Sequence, residues 1–125
     1  MIVSSMADEF PDVISFIAIG FPFSVLWFLS FFHGKEMAAK ASQSKKMKFF
    51  LIGDKDNFTS VRRFKSFIET TDKETTRYHI VEGMNHFWVD AYHIMIHHVN
   101  KFLIENVENM DKFLSLEERS AASQQ

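Results

Sequence analysis

The sequence predicts an α/β fold: about three parallel strands, near residues 14–19, 48–53 and 78–82, with helices between and after them. Three observations point there. The short apolar run from Phe49 to Ile52 is bounded by Gly53 and Asp54, as expected of a strand buried on both faces of a parallel sheet. Stretches of helical periodicity separate the strand patterns, so each strand can return parallel to the one before it. Polar residues with chemistry to offer, Asp54 and Asp56 after one strand and His86 after the next, fall at the carboxyl ends of strands. That is where open α/β sheets carry their functional loops.

Taken in order, residues 1–10 place Ile2, Val3, Met6 and Phe10 on one face of a helix that Pro11 stops. No basic segment precedes an apolar core there, so it is not a secretory signal. Residues 13–32 contain no charged side chain, which raises a membrane span. Gly20-Phe21-Pro22 interrupts that run. Its first part therefore reads better as a buried strand, Ile14 to Ile19, followed by a turn and a separate apolar segment, Phe23 to Phe32. Gly34 opens a run of good helix formers through Ala41. After the second strand, Thr59 or Ser60 caps a helix with Val61, Phe64, Phe67 and Ile68 inward and Arg62, Arg63, Lys65 and Glu69 toward solvent. Residues 70–76 read as a polar connection. A last helix is expected from about Trp88, with Tyr92, Met95, Ile96, Val99, Phe102 and Leu103 on its apolar side. One or two further amphipathic turns follow through Val107, Met110, Phe113 and Leu114.

Composition narrows the function classes. At 46% hydrophobic with 15 Phe, the chain of 125 residues can build a packed core of one domain. The net charge of −2, and a basic cluster limited to Lys45, Lys46 and Lys48, argue against nucleic acid as a partner. With no Cys there is no disulfide, thiolate metal site or cysteine nucleophile, and without a signal peptide the cytoplasm is the default compartment. Asp90, His93 and His97 lie at helical spacing and form a weak candidate metal set. They lack the glutamate between histidines found in metalloprotease helices and a second ligand-bearing segment.

Gly53-Asp54-Lys55-Asp56 after one strand, with Glu82-Gly83-Met84-Asn85-His86 after the next, resembles the C-terminal part of an α/β-hydrolase of the serine-hydrolase type. The chain order there is nucleophile, acid, histidine. The resemblance implies Asp56 as the acid, with Asp54 as runner-up, and His86 as the base. It also implies acyl transfer to a serine, needing no metal or organic cofactor, with an ester, thioester or amide as the small-molecule substrate. The richness in aromatic residues leans toward a lipid-like one, hence an esterase- or lipase-like activity with contact to membrane or lipid at most peripheral.

A nucleophile elbow needs Gly-x-Ser-x-Gly or a near variant. Gly20, Gly34, Gly53 and Gly83 are the only glycines, and none stands two residues before a serine. The expectation is therefore a C-terminal portion of a hydrolase domain over residues 1–114, cut just after the elbow, with a polar tail at 115–125. Such a chain would be inactive by itself, and the unpartnered edge of its first strand would self-associate. The alternative is a non-catalytic small protein, truncated or membrane-associated through residues 13–32.

Overall fold

The computed structural model describes residues 6–22 and 34–107. Within them a 3-10 turn at Ala7–Glu9 leads to strand β1 (Ser15–Ile19), helix α1 (Gly34–Gln43), β2 (Met47–Gly53), α2 (Val61–Glu69), β3 (Thr76–Val81) and α3 (Tyr92–Asn106). The three strands form one parallel sheet in the order β1-β2-β3. The expected α/β class and all three strands are present.

The central strand explains the two-layer core. Its side chains alternate between faces. Phe50 and Ile52 pack with Phe16, Phe21, Ala41 of α1, and Phe64 and Ile68 of α2. Phe49 and Leu51 pack on the other face with Val81, Trp88, Ala91 and Phe102 of α3. Rings make much of this contact. Phe50 meets Phe16, Phe21 and Phe67 edge-on, and Phe49 stacks on Phe102 at 5.1 Å between centroids. The chain thus fills a thin sandwich with large, stiff side chains that lose little rotamer entropy on burial.

Ser60 caps α2, its hydroxyl accepting from the Arg63 amide, and Phe64 and Ile68 form the buried stripe as expected. Lys48 is a surprise. It is fully buried in β2, with its ammonium donating to the Ser44 carbonyl (2.6 Å), the Lys46 carbonyl (3.1 Å) and Thr75 Oγ1 (2.9 Å). Burial pulls its pKa below the ordinary lysine value, and the charges of Asp72 and Asp8 oppose that shift. Lys45 pairs with Asp72 at 2.8 Å, and Lys46 donates to the Phe10 carbonyl at 2.6 Å. The short basic cluster is spent on tying loops together.

Four expectations need correction. The last helix begins at Tyr92, because Trp88 and Asp90 adopt left-handed backbone conformations (φ 53° and 58°) that no helix accommodates. Its inward side is set by Phe102 against Phe49, with Ile94, Met95 and Leu103 beside it, so Tyr92 and Ile96 are exposed. β3 starts two residues earlier than Tyr78, at Thr76, because its polar residues lie on a strand paired on one side only among the described residues. Near the start of the chain, Met6 and Phe10 are exposed and Ala7 is the residue that joins the core. The apolar segment 23–32, the first five residues and everything after residue 107 lie outside the described residues. Among those described, no helix is long and apolar enough to cross a membrane.

Candidate functional site

The carboxyl ends of the three strands converge on one spot. Gly20 follows β1, Asp56 lies three residues beyond the end of β2, and His86 five beyond the end of β3. Gly53 makes the convergence possible. A Cβ there would sit 1.9 Å from the Met84 carbonyl oxygen, so only glycine lets the loop after β3 lie against the end of β2. That packing is stitched by Asp54 N to Val81 O (3.0 Å) and Lys55 N to Met84 O (2.9 Å). The Asp54 carboxylate accepts from the Gly83 amide at 2.7 Å. Asp54 therefore joins the two loops and does not meet His86.

Asp56 does. Its side chain is fully buried. Oδ1 accepts from the amides of Phe58 (2.7 Å) and Thr59 (3.0 Å), and Oδ2 lies 2.9 Å from His86 Nδ1. A carboxylate has no proton to give, so Nδ1 donates and the neutral imidazole keeps its lone pair on Nε2. The two amide bonds fix the carboxylate plane, and with it the direction in which Oδ2 faces the ring. The His86 side chain remains 27% exposed, so the pair has a buried end and an open end. An imidazole oriented this way can take a proton at Nε2 while the carboxylate steadies the resulting charge.

Other residues hold the ring. Phe58 and Phe87 contact it edge-on, with centroids 4.6 and 5.5 Å away. Gly20, in a left-handed conformation (φ 61°), passes so close that a Cβ would stand 3.0 Å from His86 Cε1 and Nδ1. Its amide donates to Leu51 O at 2.8 Å, and the hydroxyl of Thr59 donates to the carbonyl of Phe21 beside it. Beyond His86, the buried indole of Trp88 anchors the loop in the α3-side core. That apolar burial offsets the strain of its left-handed backbone, which costs about 1–2 kcal/mol. Sequence reading gave Gly20 only a turn and missed Phe58 and Phe87 altogether.

This arrangement of strands and helices has a counterpart among solved structures. An alpha-beta serine hydrolase homologue from Coxiella burnetii matches with a TM-score of 0.54 at 18% sequence identity, over 82% of this chain and 41% of that one. The fold is a partial α/β-hydrolase fold. The chain spans less than half the length of that neighbour. No protein-family model and no curated protein matches the sequence.

Asp90 sits before the helix in its left-handed turn, while His93 and His97 are exposed on α3. Among the described residues, no three His, Asp or Glu side chains gather as a metal site would require.

Proposed function

We propose that this chain carries the acid and the base of a serine-hydrolase triad, Asp56 and His86, and that the nucleophile comes from outside these 125 residues. The observation that carries the reading is the 2.9 Å contact between a buried carboxylate and a half-open imidazole at the carboxyl edge of a parallel sheet. The partial α/β-hydrolase fold adds support. In this reading His86 Nε2 takes the serine proton as the hydroxyl attacks an ester, thioester or amide carbonyl. It then returns that proton to the leaving group, while Asp56 holds the ring and stabilises the imidazolium. Exposed Phe87 and Val89 beside His86 suit a substrate with an apolar acyl or alcohol part.

The reading has a direct consequence for the polypeptide of residues 1–125. The sequence holds no Gly-x-Ser-x-Gly elbow, so in this reading the pair lacks the nucleophile it would activate. The purified polypeptide is expected to hydrolyse p-nitrophenyl esters no faster than its His86→Ala variant. Turnover that disappears in His86→Ala would show that these residues already hold a working nucleophile, and would overturn its assignment to an outside segment. The reading as a whole is tested in the coding sequence 5′ of Met1. An in-frame Gly-x-Ser-x-Gly within a few codons is expected, and a transcript with none there would contradict the triad.

A further inference from the structure

The far end of the α3 face holds a cleft between β3 and α3. Partner residues on parallel strands share a face, so Arg77 and His79, paired with Phe49 and Leu51, point toward α3. There they meet that helix from His97 to Asn106 across a cavity of about 260 Å³ floored by Phe49 and Phe102. His97, His98 and Lys101 line its other wall. The imidazoles of His79 and His98 are stacked face to face, 4.0 Å between centroids and 28° between planes, and His97 meets His98 at 5.4 Å. Among the described residues, none of these three rings has a hydrogen-bond partner on its nitrogens.

We propose that this cleft binds a small oxyanion, the phosphate group of a small ligand, between β3 and the stretch of α3 from His97 onward. Five of its lining residues are cationic or able to become so: Arg77 and His79 from β3, and His97, His98 and Lys101 from α3; Arg77 Nη1 also donates to the carbonyls of Lys73, Glu74 and Thr76, and Asn106 adds a neutral amide. Two further groups face the cleft: Glu105, 4.0 Å from the Lys101 ammonium and offsetting part of its charge, and the Tyr78 phenol. β2 contributes only the Phe49 ring. Two imidazolium rings stacked at 4 Å repel each other, so the His79–His98 pair cannot hold both protons without a counter-charge between the walls. Burial keeps the His98 pKa below the usual histidine value, and the neighbouring His79, His97 and Lys101 push it the same way. An anion reverses that balance, because each proton gained adds a charge-assisted hydrogen bond to it. A metal ion is the wrong ligand here. Arginine and lysine share the lining, and no three metal-binding side chains gather among the described residues.

Binding of anion and protons is thus linked, so affinity rises as pH falls through the range where histidine side chains ordinarily titrate. The test titrates sulfate, whose charge is constant across that range, and then inorganic phosphate into the isotope-labelled 125-residue chain, following the imidazole carbon-bound protons by NMR. Saturable shifts at His79, His97 and His98 are expected, with His86 and His93 unmoved and binding about tenfold tighter near pH 6 than near pH 8. Lys101→Gln, an exposed substitution that leaves the fold intact, should weaken binding about tenfold, the effect of removing one charged donor. Linear shifts without saturation, equal movement of His93, or unchanged affinity in Lys101→Gln would overturn the site. The pair at Asp56 and His86 plays no part in the outcome, so the two proposals succeed or fail separately.

Discussion

Gly53→Ala is expected to lower the free energy of unfolding by about 3 kcal/mol or more, at the upper end of what overpacking costs. The added methyl carbon would lie 1.9 Å from the Met84 carbonyl oxygen and 2.4 Å from its carbon. Those are backbone atoms, so no rotamer change relieves the clash. Either the loop after β3 lifts off or the end of β2 bends, and both movements break the hydrogen bonds that the Asp54 and Lys55 amides donate. Urea unfolding followed by circular dichroism measures the loss. His86 rides on the displaced loop, so its contact with Asp56 should fail in the same variant. An alanine protein with an unchanged midpoint would mean that the two loops do not pack as described.

Phe50→Ala should cost a similar amount, about 3–5 kcal/mol, through lost transfer free energy and the cavity left behind. Phe50 is wholly inaccessible and touches the rings of Phe16, Phe21 and Phe67, which belong to three different segments around the central strand. A domain of this size has only about 5–15 kcal/mol in total, so the variant should lie near the edge of folding at room temperature. The measurement is again the denaturant midpoint. Phe50→Leu, which refills most of the volume, should recover much of the loss. If Phe50→Ala cost less than about 1 kcal/mol, the layer formed by α1 and α2 would not be a close-packed core.

The sheet was legible because its central strand is apolar on both faces and ends in Gly-Asp, a pattern that neighbouring residues carry alone. The α2 stripe of Phe64 and Ile68 was legible for the same reason. α3 was harder. An apolar tryptophan and valine just upstream look like more helix, and nothing local announces that Trp88 and Asp90 turn left-handed. The phase of the helix is then set by one distant contact, Phe102 on Phe49, which leaves Tyr92 and Ile96 outside. Nothing local announces the burial of Lys48, because its three acceptors lie on a helix end, a turn and the approach to β3. At the candidate site the order of strand, acid, strand and histidine pointed to an aspartate facing His86, and the resemblance put Asp56 ahead of Asp54; in the structure Asp54 turns to the Gly83 amide and Asp56 faces the ring. Gly20, Phe58 and Phe87 surround the ring through contacts between segments that sequence spacing does not encode.

The central claim is that Asp56 sets the proton of His86 on Nδ1 and so leaves Nε2 free to act as a base. Nitrogen NMR of the His86 ring in the 125-residue chain, at a pH where the imidazole is neutral, measures this directly. Asp56→Asn sharpens the test. The amides of Phe58 and Thr59 hold the oxygen at the Oδ1 position, so the new side-chain NH2 must face Nδ1 and can only donate to it. The account predicts an Nδ1–H tautomer in the unsubstituted chain and a switch to Nε2–H in Asp56→Asn. An Nε2–H tautomer in the unsubstituted chain, or the same tautomer in both, would contradict it.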